Sequence, residues 1–216
     1  MILKLNDIFY RYDKNLPYIL NGISYEFERG KLYAVMGGSG SGKTTLISII
    51  AALAKPSSGK IIYDGIDTAE INEDQYRAKY VSTIFQSYNL LYNYTAIDNI
   101  TMALHISGHN GDFAAQADSL LHEVGIPAEK RKYVVQNLSG GEQQRIAIAR
   151  ALAADSGVIL ADEPTGNLDD ENKNNIMKIF RRLAEEYQKC VIIVTHSNEI
   201  ADMADQVLTI DGGKLS

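Results

Sequence analysis

The sequence predicts an α/β fold with a largely parallel sheet, antiparallel strands at the N-terminus and an inserted helical segment. Three observations carry this. Leu32–Met36, Val158–Leu160 and Val191–Val194 are short, uninterrupted apolar runs of the kind that fill central parallel strands. Helical stripes fall between such runs, as expected where strands and helices alternate. The first thirty residues instead mix short apolar runs with turn residues, Asn15 to Pro17 and Asn21-Gly22, and read as hairpins.

Taken in order, Leu32–Met36 runs into a glycine-rich turn, and Leu46, Ile49, Ile50 and Leu53 then recur at helical spacing, with Pro56-Ser57-Ser58-Gly59 expected to end that helix. Val81 to Phe85 reads as a strand. Phe113, Ala114, Ala117, Leu120, Leu121 and Val124 form one amphipathic stripe, and Ile176, Ile179, Phe180 and Leu183 form another. Val207 to Ile210 is a last strand, closed by the turn Asp211-Gly212-Gly213. Residues 86–137 break the alternation. The expected organisation is one domain over 1–216, with 1–85 and 138–216 as the core and β subdomain, and 86–137 as a helical subdomain.

The chain has 216 residues, 45% of them hydrophobic, enough for one compact domain. Asp and Glu number 27 against 21 Lys and Arg, a net charge of −6. That is no footprint for duplex nucleic acid, and no nucleic-acid partner is expected. The one cysteine, Cys190, opens an apolar run and reads as a buried small hydrophobe. It fits a reducing compartment. No leader pattern is read at the N-terminus. No apolar run approaches the ~18–20 residues of a membrane helix.

Gly37-Gly38-Ser39-Gly40-Ser41-Gly42-Lys43-Thr44 matches G-x-x-x-x-G-K-[ST] and stands between a strand and a helix, where that pattern works. The glycines let backbone N–H groups turn inward around phosphate oxygens. The helix start adds free N–H groups and its positive dipole end. Lys43 brings a mobile charge to the outer phosphates, the Thr44 hydroxyl is placed for Mg²⁺, and Thr45 joins the nucleotide-binding set. A plain connecting turn would have no need of four glycines in six positions.

Val158 to Ala161 ends in Asp162-Glu163. Ligands of open parallel sheets bind beyond the carboxyl ends of strands. Asp162 is placed to hold Mg²⁺ through water, and Glu163 to polarise or deprotonate the attacking water. Adjacent strand residues point opposite ways, which suits two separate roles.

Leu138-Ser139-Gly140-Gly141-Glu142 opens an alanine-rich helix. Ser139 with Glu142 makes a capping box. Gly140 and Gly141 in the first turn each cost up to ~1 kcal/mol against alanine, so bare backbone there points to a second anion at a helix end. Either two ligands bind, or each helix end serves a different copy of one nucleotide; spacing leaves both open.

The ordered set of phosphate loop, Gln86, Leu138 to Arg145, Asp162-Glu163-Pro164, Asn167-Leu168-Asp169 and His196 resembles the nucleotide-binding subunit of ABC transporters, over nearly the whole chain. The resemblance implies a P-loop NTPase core and two such domains sandwiching two ATP molecules head to tail, with Ser139, Gly140 and Gly141 of one touching the γ-phosphate held by the other. It also implies Tyr12 stacked on adenine, Gln86 on Mg²⁺ or the attacking water, His196 on the γ-phosphate, and Asp169 at the dimer seam. Read without it, Asp169 is a helix-start acid and His196 a loop residue.

Ala161 to Asp169 is similar to the subgroup serving macrolide efflux, lipoprotein release, antimicrobial-peptide export and the cell-division complex. Asp98 stands where that subgroup commonly has Glu. Tyr88, Tyr92 and Tyr94 follow Gln86 and either line a groove for the membrane partner or cover the subdomain's own core. The resemblance implies an ATP hydrolase, cofactors ATP and Mg²⁺, an ATP-dependent homodimer or heterodimer, and a transmembrane permease as partner. It places the chain in the cytoplasm at the inner face of the membrane, reaching the bilayer only through that permease. The implied work is export or resistance involving peptides, lipoproteins or antimicrobials. The alternative is an ATPase that regulates cell-wall or cell-division machinery without moving cargo.

Overall fold

The computed structural model describes residues 1–166 and 168–216. Strands β1 (Leu3–Tyr10), β2 (Leu20–Phe27), β4 (Ser58–Tyr63) and β5 (Ile66–Asp67) form an antiparallel sheet in the order β2-β1-β4-β5. The second sheet takes β3 (Leu32–Met36), β6 (Val81–Ile84), β7 (Val158–Asp162), β8 (Cys190–Val194), β9 (Gln206–Asp211) and β10 (Lys214–Leu215) in the order β10-β9-β3-β8-β7-β6. All its pairings are parallel except the β9-β10 hairpin. The fold class read from the sequence is the one found.

The apolar strands are unbroken because both of their faces are covered. In β7, Ile159 and Ala161 pack into one cluster, with helices α5 (Gly140–Ala153) and α6 (Asp170–Glu185). Val158 and Leu160 pack into the other, with α1 (Lys43–Ile50) and the antiparallel sheet. β8 divides the same way, Val191 and Ile193 against Cys190, Ile192 and Val194. Period-two alternation therefore survives as a choice of core rather than as apolar against polar.

Between β6 and β7 lie α3 (Ala96–Ile106) and α4 (Phe113–Glu123). Ala117, Leu121 and Val124 of the sequence stripe are buried. Helix α2 (Glu73–Lys79) precedes β6, and the short α7 (Asn198–Ala201) follows β8.

Two expectations fail. Asn21-Gly22 is not a turn but lies inside β2, with Gly22 at φ 74° where the β1–β2 register shifts. Helix α1 does not continue to Leu53, which is 52% exposed, and it stops well before Pro56. Ala52 takes φ 52°, its N–H donates to Ile49 O, and the Leu53 N–H donates to Ser48 O. This is a Schellman closure with alanine in the left-handed position usually given to glycine, so no punctuating residue marked it.

Cys190 is fully buried, and burial pushes its thiol up to about 12. A thiolate is the reactive form. A disulfide reagent at pH 8 is expected to label Cys190 no faster than the chain unfolds; rapid stoichiometric labelling of the native protein would contradict this burial.

Candidate active site

The register of the parallel sheet brings the candidate residues together. Val35 and Asp162 both pair with Val194, and Ile84 pairs with Ala161. The carboxyl ends of β3, β8, β7 and β6 therefore lie side by side. They release, in that order, the phosphate loop, Thr195-His196, Asp162-Glu163 and Phe85-Gln86.

The loop cannot carry side chains where it is tightest. A Cβ on Gly37 would lie 2.6 Å from the carbonyl of Ile210 and 2.5 Å from Ser41 Oγ. Gly42, at φ 106°, caps α1 without a side-chain acceptor, which leaves the first helical N–H groups to a ligand. Lys43 Nζ donates to the carbonyls of Gly37 (2.8 Å) and Gly38 (2.9 Å), so the charge is held over the loop. Gly38, Ser39 and Gly40 form its exposed tip. Ser41 Oγ is buried with no protein partner among the described residues.

Tyr12 stands beside the loop, 68% exposed, its hydroxyl 3.5 Å from Thr45 Oγ1. It lines a pocket of about 300 Å³ with Ile19, Gly40, Gly42, Lys43, Thr44 and Thr45. Tyr10 packs on the core and meets the Tyr12 ring edge-on at 5.2 Å. An exposed aromatic face on this pocket belongs to Tyr12.

Asp162 is buried next to Thr44 and Lys43. Burial holds its carboxyl above the usual range, the Thr44 hydroxyl opposes this, and the Glu163 charge adds to it. Glu163 diverges from Asp162 by a different route than strand alternation. The strand stops at Asp162, and Glu163 takes φ 47°, its N–H donating to Val194 O at 2.9 Å. That backbone costs of order 1–3 kcal/mol for a non-glycine residue, and such strain gathers at functional sites. The turn aims the carboxylate at the end of β8. There Thr195 Oγ1 donates to Oε2 at 3.4 Å, and His196 Nδ1 lies 2.8 Å from Oε1. Thr195 was missed in the sequence; a threonine at the mouth of a central strand was its only signal. Gln86 is exposed and faces the same turn, since a Cβ on Gly166 would come within 3.5 Å of its Nε2.

Ser139 does cap α5. Glu142 Oε2 accepts from the Ser139 N–H at 2.9 Å, and Lys130 holds Oε1 at 2.6 Å. The two glycines after it differ. Gly141 has an internal reason, because a Cβ there would lie 2.6 Å from Asn172 Oδ1 of α6. A Cβ on Gly140 would meet only Tyr88 Oη at 3.4 Å and Leu168 at 3.9 Å, so that position keeps room for an approaching ligand. Asp169 caps α6, and the Asn172 N–H at 2.8 Å holds its carboxyl below the usual range. Asn167, part of the sequence motif, lies outside the described residues. Asp98 is engaged locally, accepting from the Thr95 N–H at 3.0 Å and its hydroxyl at 2.6 Å. Tyr88 packs on the helical core, whereas Tyr92 and Tyr94 stand exposed.

A glycine-lined loop closing on a lysine, with acids at the neighbouring strand end, defines a phosphate-loop nucleotide-binding protein. The family described as ABC transporter matches residues 20–166. The chain is 38% identical over 216 residues to an uncharacterized ABC transporter ATP-binding protein, YclH, of Bacillus subtilis, covering 100% of this chain and 96% of that one. It is 41% identical to the lipoprotein-releasing system ATP-binding protein LolD of Desulfotalea psychrophila, over 94% of this chain and 92% of LolD. The macrolide export ATP-binding/permease protein MacB of Chlorobium phaeobacteroides is 41% identical over 98% of this chain, which spans 33% of MacB. Among solved structures, the dimeric post-hydrolysis state of the ATP-binding cassette MJ0796 bound to ADP and Pi aligns with TM-score 0.90 at 30% identity, over 100% of this chain and 97% of that one. The chain belongs to the ABC transporter ATP-binding family and is an ABC-type ATPase.

A carboxyl whose native pKa is raised favours folding below its unfolded value, and that contribution is lost as pH rises through the native one. Asp162→Asn is therefore expected to raise the thermal midpoint more at pH 7 than at pH 4, while ATP hydrolysis is lost. A lower midpoint at pH 7 would contradict the burial argument.

Proposed function

We propose that this chain, as one half of a pair, binds ATP with Mg²⁺ and hydrolyses it to drive a separate transmembrane permease of the lipoprotein-release or macrolide-export kind. The observation that carries the reading is the row of four adjacent strand ends in register, set in a chain that also owns a second glycine-bearing helix start. Relatives named LolD and MacB support the transport class.

In this reading Tyr12 stacks on the base, and the N–H groups from Gly37 to Thr45 surround the phosphates with the Lys43 charge. The donor set for Mg²⁺ fits its chemistry: the Thr44 hydroxyl and the buried Asp162 carboxylate beside it would hold the ion, Asp162 through water, and Gln86 would serve the ion or the attacking water. Mg²⁺ supplies charge neutralisation at the phosphates. Glu163 takes the proton of the attacking water. His196 is engaged through Nδ1 by Glu163, and its Nε2 donates to the terminal phosphate in this reading, which requires both ring nitrogens to carry protons. Ser139 and Gly140 complete the site of the other chain, and Asp169 borders the seam. Contacts made only in the closed pair let ATP shift the population toward it.

Residues 86–137 are assigned as a helical subdomain, entered at Gln86, beside the core of 1–85 and 138–216. An open groove of about 260 Å³ lined by Leu53, Phe85, Ala103, Ile106 and Arg150, with Leu53 and Ile106 exposed, supports a docking place for the permease. No helix among the described residues is long and apolar enough to cross a membrane. The permease then holds the chain at the inner face.

Glu163→Gln is expected to lower the ATPase rate about 10²-fold or more. With ATP it is expected to elute as a dimer from a sizing column. A Glu163→Gln chain that binds ATP yet stays monomeric at high concentration, with the permease present as well, would refute the sandwich.

A further inference from the structure

The segment after Gln86 is held in an unusual way. Tyr88 and Asn89 are consecutive non-glycine residues in the left-handed region, at φ 61° and 49°. A tyrosine there is uncommon, though an asparagine is less so, and such a pair persists only when its surroundings fix it. The turn's own hydrogen bonds, Tyr88 N–H to Phe85 O at 2.9 Å and Asn89 N–H to Ser87 O at 2.7 Å, are local and exposed to competition.

The outside constraint comes from α5. Arg150 Nη2 donates to the Tyr88 carbonyl at 2.9 Å, and Nη1 donates to the Asn89 carbonyl. One planar fork thus grips the two carbonyls of the two strained residues, a geometry that a lysine ammonium cannot reproduce. Arg150 makes no ion pair among the described residues, so its charge faces these carbonyl dipoles. Burial pushes its guanidinium below the ordinary value, consistent with a group taken out of water to do this. The same loop comes near α5 again at its start, where Tyr88 Oη lies 3.4 Å from the place a Cβ on Gly140 would take. Gly140 and Arg150 stand ten residues apart on α5, about 15 Å along its axis, and Tyr88 meets the side chain of one and the backbone of the other.

We propose that Arg150 is a positioning residue that locks the Gln86 loop onto α5, so that Gln86 and the Ser139–Gly140 helix start move as one body. The inference rests on the functional reading of Gln86 and Ser139 given above. It adds the physical link between them. A nucleotide contact at Gln86 is then carried along α5 to the surface offered to the second chain, and the strained turn keeps that link from going slack.

The test uses the full chain with Arg150→Met, which keeps the aliphatic stem, and Arg150→Lys. In hydrogen exchange, the Tyr88 and Asn89 amides of Arg150→Met are expected to exchange at least about tenfold faster, while Ile146 to Ala149 exchange as in the parent. In steady-state ATP hydrolysis, kcat is expected to fall about tenfold or more with KM for ATP within about twofold, and Arg150→Lys to recover part of the loss. Combined with Gln86→Ala, Arg150→Met is expected to add nothing to the kcat loss of Gln86→Ala alone. Additive losses, unchanged exchange at Tyr88 and Asn89, or a loss confined to KM would overturn the role of Arg150 alone. Gln86→Ala at the parent rate would instead overturn the functional reading of Gln86, and this proposal with it.

Discussion

Backbone hydrogen bonding across β3, β8, β7 and β6 sets every distance in the candidate site. The rows Val35–Val194–Asp162 and Ile84–Ala161 end four strands at one level. Because β7 and β8 are apolar on both faces, a slip of register would exchange two whole cores, Ile159 and Ala161 against Val158 and Leu160. Residues separated by more than a hundred positions in sequence are thereby held as neighbours by burial that has no direct part in chemistry. The site inherits its precision from strands buried at every position.

On that frame the chemistry-bearing groups are arranged by strain and desolvation. Glu163 turns toward Thr195 and His196 only because its backbone takes a left-handed conformation. Asp162 carries a carboxylate where burial disfavours its charge. Both are poor choices for stability, which is the usual signature of a site kept for function. Helix α5 is arranged differently: its first turn is bare at Gly140, capped by Ser139 and Glu142, and fixed at Gly141 against Asn172.

Much of this was legible in the sequence. The α/β class followed from unbroken apolar runs, and the loop, the acid pair and the second helix start followed from residue types whose chemistry is specific. What escaped had no local signal. The end of α1 at Ala52 carries neither glycine nor proline. The packing reason for Gly141 sits on Asn172, thirty-one positions along the chain, and the partners of Arg150 sit sixty-one and sixty-two positions before it. The divergence of Glu163 was expected from strand alternation, whereas the strand had already ended. Long-range contacts and backbone strain are properties of the fold, and a one-dimensional pattern does not record them.

If each working centre is built from two chains, two different defects placed on separate copies should repair each other. Lys43→Ala damages the centre on its own chain, and Ser139→Ala damages the one on its neighbour, so each variant alone should be inactive. Mixing them should restore ATP hydrolysis, because one centre of each mixed pair joins an intact phosphate loop to an intact Ser139. A mixture as inactive as its components, with mixed pairs verified to form, would mean that a single chain holds its whole catalytic centre.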